Sequence, residues 1–271
     1  MPFADEAPKP QPHSHVAGSA GPEREGVRAA FLAEQNRLLC ALPLDEYAWL
    51  LPQLTPRHLQ LRDVLIEPDQ PIRYAWFVRD GVASIIANEQ GGGDVEVGTV
   101  GFDGFVGLPL LFEVDRMSKR VIVQVEGHGW RISRDDFARA VAERPAIRSA
   151  LLRYAAYFTE QVSQSVACNR LHSLEERCAR WLLMTHDRVH GADFELTHDF
   201  LAMMLGVRRA GVTVAMGTLQ SDGIIHYVRG RVTVLDRAGL EEASCDCYRI
   251  THAAFERLLG PATPEDASGA N

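Results

Sequence analysis

The sequence predicts an α+β chain: an antiparallel, jelly-roll-like β-roll, then a long helix, then a C-terminal winged helix-turn-helix. Three observations predict it. Short β-type runs separated by Gly-containing turns fill residues 59–133. A stripe of apolar residues at helical spacing follows, sustained for about five turns. Finally, "LTHDFLAMMLGVRRAGVTVAMGTLQSDGII", residues 196–225, reads as a helix, a tight corner at Gly206 and a second helix. A chain of 271 residues has room for two such modules, since domains commonly hold about 100 to 200 residues.

The opening stretch "MPFADEAPKPQPHSHVAGSAGPEREG" is rich in Pro, Gly and Ala and lacks the apolar core of a secretory signal. Residues 1–27 are expected as a disordered tail, and residues 260–271, "GPATPEDASGAN", share that character. No apolar run approaches the length that crosses a bilayer, so no membrane partner is expected and the cytoplasm is the expected location. From Arg28 to Leu51 the apolar residues Phe31, Leu38, Leu39 and Leu42 recur at helical spacing, interrupted by Pro43 and Pro52, which predicts one or two short helices. The runs "QLRDVLIE", "YAWFVRDGVASIIA", "DVEVGTVG" and "RVIVQVEGHGWRIS" come next, with turn residues at Pro68-Asp69, Asp80-Gly81, 91–93 and Asp103-Gly104. Closely spaced short strands of this kind build a small antiparallel roll or barrel, placed here at residues 28–137.

Residues 138–170 are expected as linker and long helix. Ile147, Leu151, Tyr154, Phe158, Val162 and Ser165 fall on one face at alternating three- and four-residue steps, a seam for another helix. Packing against the β module would use the same stripe. Its place between two modules favours pairing with a second copy of the chain, with Leu151, Tyr154, Phe158, Val162 and Ser165 at the interface.

Residues 171–259 are expected as the winged domain. Thr197 is placed to cap the first helix, Asp199 sits in its first turn and Leu196 can staple onto Leu201. Gly206 permits the positive φ of a sharp corner, completing a helix-turn-helix. Arg208, Arg209, Ala210, Thr213 and Val214 then project from the start of the second helix, the end that enters a major groove. Arginine can bind guanine through two acceptors, worth about 1 to 3 kcal/mol of discrimination. Gly211 either allows close approach to DNA backbone or relieves tight packing. In "GIIHYVRGRVTVLD" two β-branched runs meet at Arg229-Gly230, a hairpin wing that would lay Arg229 and Arg231 against phosphates.

A net charge of -8 argues against a polyanionic partner on average. Locally, however, Arg208, Arg209, Arg229 and Arg231 face Asp222 alone between Gly206 and Arg231, and salt confines each field to about 10 Å. Cys40, Cys168, Cys178, Cys245 and Cys247 are an odd set that predicts reduced thiols. "CDC" at Cys245 and Cys247 lacks a second pair at zinc-site spacing, so no metal is expected there.

These features together resemble the Crp/Fnr family of bacterial transcription regulators, over roughly Asn36 to Asp236. The β module carries the resemblance in "NRLLCALPLDEYAWLLPQL", "DVLIEPDQPIRYAWFVRDGVASI" and "GFVGLPLLF". The stronger match is "LTHDFLAMMLGVRRAGVTVAMGTLQSDGIIHYVRGRVTVLD". The resemblance implies a cyclic-nucleotide-binding-like sensor domain, a homodimer on double-stranded DNA, RNA polymerase as a further partner, and no catalysis. It places the recognition positions at Arg208, Arg209, Ala210 and Val214. Only Arg209 keeps the usual basic reader, because members of the cyclic-AMP type commonly carry glutamate where Ala210 stands and arginine where Val214 stands; a different operator is implied. Cyclic nucleotides need a carboxylate for the ribose and an arginine with backbone N–H groups for the phosphate. The family's carboxylate follows the Gly of "FVG", where this chain has Leu108 and then Pro109. Gly107, Leu108, Lys119 and Arg120 are the effector-site candidates, and a degenerate pocket or another small ligand both stay open. An iron–sulfur variant needs several N-terminal thiolates, and Cys40 stands alone there. Two rival readings are a cupin-type metal enzyme, for which the β region offers only His58 and His128, far apart, and a protein-interaction module that kept the fold and lost DNA binding.

Overall fold

The computed structural model describes residues 22–89, 93–189 and 191–260. The chain opens with α1 (Pro22–Leu32), α2 (Arg37–Cys40) and α3 (Leu44–Leu50), closed by a 3-10 turn at Leu51–Gln53. Residues 22–27, expected within the tail, are therefore helical; proline favours the first helical turn because its missing N–H is not needed there. Residues 1–21 and 261–271, the rest of the expected tails, lie outside the described residues. Asn36 fastens this segment to the roll. Its side-chain oxygen accepts the N–H groups of Leu38 and Leu39, while its amide donates to Val78 O at 2.7 Å and Gly104 O at 2.8 Å.

The roll consists of β1 (Thr55–Leu59), β2 (Val64–Ile66), β3 (Tyr74–Glu89), β4 (Gly93–Val100), β5 (Phe105–Val106), the short α4 (Leu108–Leu111) and β6 (Arg120–Ser133). All pairings are antiparallel, in the order β1-β6-β3-β4, with β2 also on β6 and β5 on β3. The predicted run "RVIVQVEGHGWRIS" is β6 from end to end. The run "QLRDVLIE" splits instead, since Arg62 takes a positive φ of 71 between β1 and β2. Asp80-Gly81 is a bulge inside β3 rather than a turn, with register shifts on either side and φ 84 at Gly81. Phe77, Phe105, Phe137 and Tyr154 fill the core, Phe105 lying 5.2–5.7 Å from the other three rings.

Then come α5 (Arg134–Glu143), α6 (Pro145–Leu171), α7 (Leu174–His186), β7 (Asp193–Glu195), α8 (His198–Leu205), α9 (Arg209–Ser221), β8 (Ile225–Val228), β9 (Arg231–Val234), α10 (Arg237–Ala243) and α11 (Cys247–Leu259). Phe137 and Ala140 of α5 belong to the roll's core, which carries that module past the expected boundary at 137. A second core joins α7 to α10 with the β7-β9-β8 sheet.

The α6 stripe serves the roll rather than a second copy. Ile147, Leu151 and Tyr154 are 2 %, 2 % and 1 % exposed within one chain. Phe158 and Val162 line a cavity of the roll, and the Ser165 hydroxyl donates to Gln161 O and accepts from Arg180. The interface assigned to Leu151, Tyr154, Phe158, Val162 and Ser165 is thus corrected: those side chains already have intramolecular partners. The tail helix α11 also lies on α6, not only on the winged domain, through Phe255 against Tyr157 and Arg257 paired to Glu160 at 2.7 Å.

Candidate nucleic-acid interface

Thr197 caps α8 by accepting the Phe200 N–H at 3.1 Å, a bond typically worth about 1 kcal/mol. Gly206 ends that helix with φ 63, where an L side chain would be strained. The corner turns the chain so that α8 and α9 meet at 110°, the angle of a helix-turn-helix. Val212, Ala215, Met216 and Leu219 of α9 are buried against the second core. The opposite face, Arg209, Ala210, Thr213, Val214 and Gly217, is exposed, with Val214 at 70 %.

The two glycines of α9 have different reasons. A Cβ on Gly211 would meet Leu174 Cδ2 at 2.7 Å, whereas one on Gly217 would meet nothing within 4 Å. Gly211 is therefore a packing residue that lets α9 approach α7, and its assignment to DNA contact is corrected. Gly217 leaves an open shelf on the exposed face.

Charges around that face fall into two sets. Arg208, just ahead of α9, and Arg229, at the tip of the wing, are exposed and form no ion pair among the described residues. Arg229 and Gly230 have φ 49 and 79, the pair of positive values of a type I′ hairpin turn. Arg209 reaches Asp199 at 3.5 Å, with both side chains exposed, a contact worth at most about 1 kcal/mol in water. Arg231 is held by Asp193 and, at 3.7 Å, by Glu195, so of the two wing arginines Arg229 is the free one. Thr213 donates to Arg209 O and meets His198 Nδ1 at 3.0 Å. His198 in turn stacks on Tyr227 of the wing, ring centres 4.4 Å apart, which ties α8, α9 and wing into one surface.

The effector candidates separate. Gly107, Leu108 and Lys119 line a cavity of ≈ 430 Å³ between β3, β4, β6, α4 and α6, whereas Arg120 lies outside it, paired with Glu67 at 3.2 Å; Arg120 is removed from that set. The lining is almost wholly apolar, among it Ile85, Val97, Phe105, Phe112 and Phe158, and holds no carboxylate; its cations are Arg116 and Lys119. Val97 and Val100 place β4 in the cavity wall.

The same strand touches the DNA-binding module. Val95 packs under the Gly206 corner, where a Cβ would come within 3.1 Å. Glu96 accepts from Trp181 Nε1 at 3.0 Å and lies 2.6 Å from Ser84 Oγ. Ser84 also contacts Gln124, which donates to Thr185 of α7 at 3.3 Å. One hydroxyl proton cannot serve both Glu96 and Gln124, and the network closes when Glu96 carries the second proton. Burial accordingly pushes the Glu96 carboxyl up to about 7. Beside it, buried Arg188 forks onto Asp103 at 3.0 and 2.5 Å. The sequence gave no sign of this junction, whose partners lie 85 positions apart.

Two further corrections concern ligand groups. His58 and His128 are cross-strand partners on β1 and β6, ring centres 5.1 Å apart, not distant. They turn to different carboxylates, Glu126 and Asp80, and with them form no group of three converging ligand atoms among the described residues. Cys245 and Cys247, by contrast, do gain companions: Cys168 and His172 bring their ligand atoms within 4.8 Å. No single helix among those described is long and apolar enough to cross a membrane.

Residues 56–144 match the model of the cyclic nucleotide-binding domain, and residues 176–243 that of the Crp-like helix-turn-helix domain. Among solved structures, a Crp-family transcriptional regulator of Thermus thermophilus is similar at 19% identity and TM-score 0.60, covering 69% of this chain and 96% of its own. FixK2 of Bradyrhizobium japonicum is similar at 14% identity and TM-score 0.58, covering 71% and 98%. The c-di-GMP-responsive global regulator CLP of Xanthomonas campestris is similar at 20% identity and TM-score 0.57, covering 71% and 99%. At these identities the likeness concerns the fold. No curated protein matches the chain.

Proposed function

This chain is a transcription regulator of the Crp/Fnr type, a cyclic-nucleotide-binding-like sensor domain followed by a Crp-like helix-turn-helix, and on that premise we propose that it binds duplex DNA sequence-specifically as a homodimer. The observation that carries this reading is the exposed stripe of α9, with unpaired Arg208 at its start and unpaired Arg229 on the adjoining wing tip. Arg209 reads a base edge after exchanging its weak pair with Asp199 for guanine acceptors. The methyls of Ala210 and Val214 meet thymine methyls, and Arg208 and Arg229 neutralise phosphates. Regulation at a promoter makes RNA polymerase the further partner.

The dimer seam falls on the other side of α6. Leu152, Ala156, Thr159, Ser163 and Val166 recur at four- and three-residue steps, all exposed, with Leu152 at 43 % and Val166 at 68 %. Small residues at this spacing let two helices approach closely along a left-handed seam.

The sensor's ligand is an apolar acid rather than a cyclic nucleotide. A ribose hydroxyl would find no carboxylate in the cavity, whereas an apolar body would fill it with its acid group at Arg116 and Lys119. Because β4 forms both the cavity wall and the seat of the Gly206 corner, a ligand that moves Val97 shifts the population of DNA-binding arrangements. Selection of bound duplexes from a random pool, by wild type and Arg209→Ala, tests the whole. A single enriched palindromic motif for wild type, degraded at one base pair per half-site in the variant, is expected. An identical motif from both proteins would overturn the assignment of Arg209.

A further inference from the structure

Four ligand-bearing side chains meet at the hinge between α6 and α7, and none of the roles above uses them. Cys168 lies in the last turn of α6, His172 is the residue that ends it, and Cys245 and Cys247 flank the connection from α10 to α11. Their ligand atoms all lie within 4.8 Å of one another; Cys168 Sγ is 3.5 Å from Cys245 Sγ, and Cys247 Sγ is 3.5 Å from His172 Nδ1. The three thiols are buried and form a small cluster of their own, apart from both apolar cores.

These spacings are the edges of a tetrahedron. Bonds of ~2.3 Å to sulfur and ~2.05 Å to nitrogen at tetrahedral angles put sulfurs about 3.8 Å apart and sulfur about 3.6 Å from nitrogen. A set this compact encloses a single ion. Soft thiolates with one imidazole select zinc among the common divalent metals, and four protein ligands make a closed, structural site.

The surroundings fit. Gln164 Nε2 donates to Cys247 Sγ at 3.0 Å, as outer-shell groups do for bound thiolates. Contact with Cys245 and the nearby Arg180 guanidinium lower the Cys168 thiol pKa. Arg180 is itself buried, with its Nε unpartnered, and its charge offsets the net single negative charge of three thiolates on a divalent ion. All four ligands lie outside residues 56–144 and 176–243, the stretches shared with the two domain families.

We propose that Cys168, His172, Cys245 and Cys247 form a tetrahedral zinc site that clamps the end of α6 to the α10–α11 connection. Binding releases the three thiol protons to solvent, and His172 ligates as neutral imidazole through Nδ1. The ion fixes the angle at which α6 carries the winged domain, because His172 is the extended residue, φ -112 and ψ 152, between α6 and the start of α7.

The test uses the full chain, kept reduced and anaerobic, stripped with a chelator and titrated with zinc(II), or with cobalt(II) as a spectroscopic probe. One equivalent should bind. Cobalt should give the intense visible bands of a tetrahedral site with thiolate charge transfer, and zinc should raise the melting temperature of the stripped protein. Cys168→Ser and Cys245→Ser should each lose stoichiometric uptake with an unchanged far-ultraviolet circular dichroism spectrum, Cys40→Ser should bind as wild type, and His172→Cys should retain uptake with a shifted cobalt spectrum. Any of four results overturns the site: no uptake by reduced wild type, uptake unaffected by both serine variants, an octahedral cobalt spectrum, or a Cys168–Cys245 disulfide surviving reduction in place of metal. Duplex selection reads out DNA binding separately, so either proposal can fail alone.

Discussion

Two arginine–aspartate pairs, Arg188–Asp103 at the domain junction and Arg209–Asp199 at the DNA face, join the same chemical groups in opposite surroundings. The first is a bidentate fork with side chains 6% and 8% exposed; the second is a single contact at 3.5 Å with side chains 66% and 71% exposed. Removing one partner of a buried pair strands a charge in a poorly polarisable interior, whereas water and salt screen an exposed pair almost completely. The buried arginine is therefore a fixed joint between sensor and reader, and the exposed one a charge held ready for exchange with DNA.

Arg188→Ala probes that contrast most strongly. Denaturant unfolding should show a loss of about 3 to 5 kcal/mol, with much of it recovered when Asp103→Leu and Arg188→Met are combined; a loss below about 1 kcal/mol would erase the distinction. Glu96 adds a pH dependence to the same junction. Its carboxyl is raised from 4.5 to about 7 by burial, against the bonds from Ser84 and Trp181 and the fields of Arg188 and Arg180. A raised carboxyl pKa stabilises the fold fully below pH 4.5, and that contribution is lost as pH climbs from there through about 7. Melting temperatures should fall across this window in wild type and fall less in Glu96→Gln; parallel profiles would remove Glu96 from the junction. Thr197→Ala should cost about 1 kcal/mol through the lost cap of α8, measured by the same unfolding. Asp199→Ala should change stability by less than about 1 kcal/mol and leave duplex affinity undiminished, since it only frees Arg209.

The two regions also differed in what their residues disclosed beforehand. The winged domain was legible because its signals are local: Thr197 as cap, Gly206 as corner and Arg229-Gly230 as hairpin tip lie within a few residues of the elements they define. The rotation of α6 was not. That helix is apolar on one side toward the roll, touches α11 on a second and presents Leu152 and Val166 on a third, so periodicity marked a buried stripe without saying what buries it. Gly211 was ambiguous until Leu174 appeared beside it. The thiol cluster escaped because Cys168 and Cys245 stand 77 positions apart, outside any local spacing rule. The His58–His128 pair was hidden similarly, in a strand register that only the folded sheet supplies.

The central claim is that free arginines on α9 and the wing engage a phosphate backbone, and the salt dependence of duplex affinity tests it most directly. Log affinity should fall linearly and steeply with log salt for wild type, and the double variant Arg208→Ala, Arg229→Ala should reduce the slope by about 2, one per lost phosphate contact. A flat dependence, as expected of a module that kept the fold and lost DNA, or a slope unchanged in the double variant, would contradict it.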